Sequence, residues 1–259
     1  MASIIEGYLG KRVDGTKSRM PARLDRWQSA TGLFLGLFMW GHMLFVSSIL
    51  ISENFMYAVT KMFEGSFLFA RPHPIIVAFS VAFVFAIFII HAGLAMRKFP
   101  YKWREYKMLK THAFALKHGD TNLWMVQAFT GFMMFFLGSV HLYILMSNAD
   151  RIGPYASSDR VWSDGMWPLY LLLLFAVELH GSIGLYRLCM KWGWCNGKDA
   201  RAARKRLKKI KWGITAFFLI LGLLTLGAYI KIGMTHADNY GERYQPTAQH
   251  IIPPQEVRS

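Results

Sequence analysis

Five stretches of this chain stay apolar for the length of a bilayer crossing, and the polar and charged residues crowd between them. They run approximately 31–51, 75–96, 123–146, 167–190 and 212–232. Each supplies the roughly 20 mainly apolar residues needed to cross the hydrocarbon core. None alternates with the period of two that a transmembrane barrel strand requires, so each reads as a helix. The pattern predicts an all-α membrane protein, 1–259 forming a single integral membrane domain of five transmembrane helices with loosely ordered polar ends at 1–20 and 238–259. Between spans, Asn54–Phe63 places its apolar residues at mixed helical spacing, which predicts a short interfacial helix. Arg97–Asn122 is long, basic and aromatic, with room for a short surface helix; it suits a solvated loop, a docking surface for a soluble partner, or both. No internal repeat or low-complexity stretch is read in the chain.

Charge changes this picture by adding direction. The formal net charge is +15, from 30 Lys and Arg against 15 Asp and Glu. An excess of this size raises nucleic acid as a partner, but its distribution argues against that. Basic residues concentrate in Lys11–Arg26, Arg97–Lys117 and Arg187–Lys211, whereas 52–74, 147–166 and the tail are nearly balanced. These two sets alternate along the chain, so the positive-inside rule places the basic set in the cytoplasm, the N-terminus inside and the C-terminus outside. A bacterial cytoplasmic membrane is the expected location, with lipid as surroundings and no nucleic-acid partner. The first apolar run begins behind a polar, basic segment and is long enough to span, so it is not read as a cleavable signal. Cys189 and Cys195 fall at the reducing cytoplasmic end, where a disulfide is not expected.

Ionisable residues inside the apolar runs carry the chemistry. Four of the nine histidines, His42, His91, His141 and His180, lie one in each of the first four spans. An imidazole in hydrocarbon is costly without a partner and marks a functional site. At a rise of about 1.5 Å per residue, His91 lies roughly 9 Å to the cytoplasmic side of its span's midpoint and His141 roughly 9 Å to the outer side. His180 is slightly inside, and His42 is near or just beyond the centre. The depths pair His91 with His180 and His42 with His141, as axial ligands of two haems. With no CxxCH present, the haems are non-covalent, of b type. The prediction is therefore four helices bundled around two b-type haems and a fifth outside them. Gly41, Gly93, Gly138 and Gly181 flank the histidines, and small side chains let a flat macrocycle approach the backbone; Gly32-x-x-x-Gly36 suits ordinary helix packing. A metal transporter needs clustered carboxylates or thiolates, and a proton relay needs acids beside the histidines; neither is present. His73, His112, His118, His236 and His250 fall in loops or the tail and are expected to be solvated.

Other residues follow from helical geometry. Arg187 and Lys191 come 7 and 11 residues after His180, and Lys98 comes 7 after His91. Such spacings keep each within roughly 20° of its histidine's face, placing a cation at the cytoplasmic rim for a haem propionate. Glu178 lies near mid-membrane and projects about 200° from His180, away from its haem edge. A carboxyl there is protonated or hydrogen-bonded, for proton transfer or structure. Glu64, in Phe63-Glu64-Gly65, reads as a surface acid near the outer haem layer.

The stretches around these residues are Leu24–Met43 (LDRWQSATGLFLGLFMWGHM), Phe88–Pro100 (FIIHAGLAMRKFP), His118–Trp124 (HGDTNLW), Thr130–Tyr143 (TGFMMFFLGSVHLY) and Leu173–Trp194 (LLFAVELHGSIGLYRLCMKWGW). Together they resemble the single-chain dihaem cytochrome b subunit of menaquinol:fumarate reductases, akin to succinate dehydrogenase anchors, over residues 20–235 or so. The resemblance implies the same haem pairing. It further implies that Gln28, Ser29, Trp124 and Lys191 contact the inner haem's propionates, that Glu64 takes part in menaquinol oxidation, and that Glu178 belongs to a proton path. It implies an electron-transfer anchor for an iron–sulfur subunit and, through it, a flavoprotein that reduces fumarate, in a complex that can be dimeric. One rival is a succinate:quinone reductase anchor running in the opposite direction. Another is the cytochrome b of a hydrogenase or formate dehydrogenase, which one histidine on each of four helices disfavours.

Overall fold

The computed structural model describes residues 19–69, 71–100, 102–115, 119–195 and 199–246, and among these no strand occurs. Helix α1 (Met20–Val46) continues as a 3₁₀ turn, Ser47–Leu50. It is followed by α2 (Glu53–Phe63), α3 (Pro74–Met96), α4 (Trp103–Ala115), α5 (Gly119–Ser147), α6 (Pro154–Val161), α7 (Trp167–Trp192) and α8 (Ala200–His236). A last 3₁₀ turn covers Ala237–Asn239. Five of the helices, α1, α3, α5, α7 and α8, are long and apolar enough to cross a membrane. A short helix, expected at 54–63, is present as α2, and α4 occupies the basic loop. Helix α6 stands in a stretch read from sequence only as a loop.

Local chemistry sets most boundaries. Proline stands in the first turn of α1, α3, α6 and α7, where its missing N–H costs nothing. Ser52 caps α2 through the Phe55 amide, and Asp199 caps α8 through the amides of Arg201 and Ala202. Helix α7 ends at Gly193, whose φ of 69° lies in the left-handed region. The helices outrun the apolar stretches: α1 begins at Met20 and α8 at Ala200, each carrying basic residues in helical form beyond the hydrocarbon.

Packing follows a ring in which α1 lies against α3 and α7, and α5 against α3 and α7. Thus α1 faces α5, and α3 faces α7, across the diagonals. Helix α8 packs outside the ring on α7 and α6, with lesser contact to α1. In hydrocarbon, helices gain little from burying apolar surface, so small residues and hydroxyls join them. Thr215 Oγ1 donates to Ser182 Oγ at 2.7 Å, and Thr225 Oγ1 to Ser47 Oγ at 2.8 Å. A Cβ on Gly233 would come within 2.6 Å of the Ser158 carbonyl oxygen, so only glycine lets α8 rest on α6. Large apolar side chains such as Phe79, Phe129, Phe136 and Leu224 point outward, as lipid contact demands.

Candidate functional site

The ring's two diagonals bring the four spanning histidines together in pairs. His42 of α1 and His141 of α5 have ring centroids 6.2 Å apart, and His91 of α3 and His180 of α7 have them 6.5 Å apart. A ring nitrogen lies about 1.1 Å from its centroid, so facing nitrogens approach no closer than about 4 Å, too far for a hydrogen bond and the span of two metal–imidazole bonds of about 2.0–2.1 Å. Among the described residues, no group of three or more His, Cys, Asp or Glu is placed to hold a metal ion. Two imidazoles on opposite sides suit a metal whose other ligands come from a macrocycle. The donor set therefore fits a bis-imidazole haem at each pair.

The pair nearer the basic end is held from behind. His180 Nδ1–H donates to the Gln127 carbonyl at 2.8 Å. His91 Nδ1–H donates to Thr31 Oγ1 at 3.1 Å, while the Thr31 hydroxyl proton goes to the Trp27 carbonyl. Committing Nδ1 as donor leaves Nε2 as the lone-pair nitrogen, the orientation a metal ligand requires. Each ring also rests on a glycine of the neighbouring helix: a Cβ on Gly32 would stand 2.8 Å from His91 Cε1, and one on Gly131 2.9 Å from His180 Cε1. The second pair is positioned by aromatic packing. The His42 ring stacks on Phe38 at 5.9 Å and that of His141 meets Tyr170 edge-on at 5.5 Å, leaving the buried His141 Nδ1 without a hydrogen-bond partner.

These supports expose a signal that the sequence analysis missed. Gln28-Ser-Ala-Thr-Gly32 and Gln127-Ala-Phe-Thr-Gly131 are one motif, Q-x-x-T-G, and in each copy the histidine follows the glycine by ten residues. The chain does contain an internal repeat, contrary to the reading above: α1 and α5 each cradle the imidazole of a neighbouring helix with the motif and present their own histidine three turns further along. Of the flanking glycines, Gly138 faces Phe88 and Gly181 faces the Met39 methyl, whereas a Cβ on Gly41 or Gly93 would meet nothing within 4 Å. Space beside His42 and His91 is what a flat ligand edge needs. Valine at Gly131 cannot coexist with the present His180 ring. Gly131→Val is expected to cost about 1–3 kcal/mol by overpacking and to abolish haem binding at that pair alone if the pair holds one, read from haem content and thermal unfolding.

At the basic rim the cations gather on Asp25, a residue not singled out from sequence. Its carboxylate takes Lys98 at 2.5 Å, Arg97 at 3.8 Å, and Lys191 in a close ion pair; Lys191 Nζ also donates to Ser29 Oγ at 3.3 Å. Gln28 Oε1 is buried without a hydrogen-bond partner, and Trp124 stacks on Phe99 at 6.2 Å. The predicted group is thus only partly joined, through Lys191 and Ser29. Arg187 instead donates to Gln127 Oε1 at 2.6 Å.

Both acids lie deeper than surface positions. Glu178 is fully buried in the seam of α7, α8 and α1, with the Trp40 indole close to its carboxyl group. Glu64, expected at the surface, is only 1% exposed and is ion-paired with Lys61. His236 also corrects an expectation. Far from being solvated, it is buried at the end of α8, its ring stacked 4.1 Å from Tyr155, with Nδ1 2.9 Å from Asp159 Oδ1. Residues 240–244, at the start of the expected loose tail, are tied down as well: the Gly241 amide donates to Asp159 and the Tyr244 hydroxyl to Asn54. His118 and His250 lie outside the described residues, as do 1–18 and 247–259.

Comparison with known proteins adds an independent line. The family described as the succinate dehydrogenase/fumarate reductase transmembrane subunit matches residues 103–222. The chain is 60% identical over 236 residues to the fumarate reductase cytochrome b subunit of Wolinella succinogenes, covering 91% of this chain and 92% of that one. It is 53% and 52% identical to the proteins of the same description from two strains of Helicobacter pylori, covering 91% of each chain.

Proposed function

Because this multi-pass membrane chain belongs to the succinate dehydrogenase/fumarate reductase transmembrane-subunit family, we propose that it is the cytochrome b anchor of a quinol:fumarate reductase, oxidising menaquinol on the outer side of a bacterial cytoplasmic membrane. The observation that carries this reading is the pair of imidazole pairs, 6.2 and 6.5 Å between ring centroids, stacked along one bundle. His42 and His141 would hold the outer b-type haem, and His91 and His180 the inner one. When bound, the two haems supply one-electron carriers in series across the membrane thickness.

The chain's own residues do the rest. Thr31, Gln127 and the two motif glycines fix the inner imidazoles, and the rings Phe38 and Tyr170 set the outer ones. Lys191 and Ser29, with Gln28 and Trp124 nearby, offer donors to carboxylate groups at the inner rim; the seating of the Asp25 carboxylate among Lys98 and Lys191 supports that role. Glu64 takes a proton from menaquinol, and Glu178, enclosed in its helix seam, transfers protons toward the cytoplasm. The basic end, with Trp103, Tyr106 and Met108 exposed on α4, docks the iron–sulfur subunit that leads to the flavoprotein.

Purification from the native membrane tests the whole reading. We expect a reduced-minus-oxidised spectrum with b-type bands for two haems per chain, together with co-purifying iron–sulfur and flavin subunits. A colourless chain, or a nickel enzyme as partner, refutes it.

A further inference from the structure

Glu64 follows the last residue of α2, a helix at the molecular surface, and yet it is sealed from solvent. Both its carboxylate oxygens accept from Lys61 Nζ, at 2.9 and 2.8 Å, across one helical turn. Withdrawing an ion pair from water is seldom a net stabiliser, so the arrangement asks for a use. Lys61 supplies one. Its side chain is 27% exposed and lines a cavity of about 560 Å³ with a mixed polar and apolar wall, to which Tyr57, Asn148, Tyr155, Asp159 and Arg160 contribute. Glu64 does not line that wall, so Lys61 is interposed between the enclosed carboxylate and the cavity. Burial, and secondarily Glu53 and Glu242 nearby, push the Tyr155 phenol above its ordinary range, so the wall keeps a neutral donor there.

We propose that Lys61 is a positioning residue for quinol oxidation: it holds the Glu64 carboxylate oriented toward the quinol, and couples it to the cavity through which the proton departs. This rests on the reading of Glu64 as the proton acceptor. In the first step a quinol O–H bond breaks, its electron pair stays on the quinol oxygen, and a Glu64 O–H bond forms. Neutralising the carboxylate removes the counter-charge of Lys61, whose ammonium then finds better solvation in the cavity. The opened path lets the Glu64 O–H bond break to cavity water, and the regenerated carboxylate draws Lys61 back.

The test compares the complete complex carrying Lys61→Ala, Lys61→Arg or Glu64→Gln, with a reduced naphthoquinone as electron donor and haem bands as the check on assembly. Lys61→Ala should lower kcat about tenfold with KM changed less than about twofold, a size within the general acid–base range. Arginine should restore it to within about threefold. Added ethylammonium, entering the cavity, should raise turnover of Lys61→Ala several-fold and leave Glu64→Gln unmoved. Should the alanine variant not assemble, Lys61→Met keeps the stem and removes the charge. Full activity without the lysine, beside an inactive Glu64→Gln, overturns the role of Lys61 and leaves Glu64 standing. Equal loss in all Lys61 variants with no amine rescue also overturns it, because packing alone would then explain the loss. An active Glu64→Gln overturns the reading beneath.

Discussion

His42→Ala is expected to halve the haem content of the chain, from two to about one, with the remaining haem keeping its bis-imidazole spectrum. The reason is geometric. His42 and His141 lie across the α1–α5 diagonal, while His91 and His180 lie across the α3–α7 diagonal and draw their support from Thr31, Gln127, Gly32 and Gly131. Nothing that holds the inner pair comes from the His42 side chain. Its removal would take away one of the two imidazoles proposed to hold the outer haem and leave His141 without its opposite number. The same outcome is expected for His141→Ala, and the complementary haem should vanish in His91→Ala or His180→Ala. Haem quantification with low-temperature spectra of the four single variants checks this. Loss of both haems from every variant, in proteins that remain folded, would defeat the two-site assignment.

Glu64→Gln should reduce quinol-driven turnover about 100-fold or more while both haems stay bound, in keeping with the 10²–10⁴-fold that a positioned acid or base contributes. The amide matches the carboxylate in shape but cannot accept a proton, and it cancels the charge that holds Lys61 at 2.8 Å. The imidazole pairs are held by other elements, so haem content should be unchanged. Steady-state quinol oxidation alongside a haem spectrum separates these quantities. Near-normal turnover in the glutamine variant would move quinol oxidation to another residue.

Some of this was open to inspection in the linear chain. The spans were, because partition into hydrocarbon depends on the composition of a local run. Four histidines in four such runs were conspicuous for the same reason, and their depths follow from a constant rise per residue. Helix bounds were less accessible. The basic starts of α1 and α8 are polar by composition yet helical, since a helix satisfies its own backbone wherever it extends. Q-x-x-T-G-x9-H was in plain view twice, at Gln28 and Gln127, but it acquires meaning only when each glycine is seen under another helix's imidazole.

Burial was the least legible property. Glu64 lies between two spans and His236 at the polar end of the last one, and their places along the chain read them as wet. Chain return encloses them, with α2 folding back beside the bundle and α8 ending against α6. Asp25 likewise looks like one more charge in a basic stretch until Lys98, from the turn after α3, and Lys191, from α7, arrive beside it.

From residues alone came the number of crossings, a charge bias that sets the expected sidedness, and four histidines at two depths. Each depends on a few neighbouring positions and on constant helix geometry. Which imidazole meets which across a gap near 4 Å, what holds its far nitrogen, and which acids are shut away from water required the assembled bundle. Those facts depend on how each helix is rotated about its axis, and that rotation is settled by packing between segments far apart in the chain.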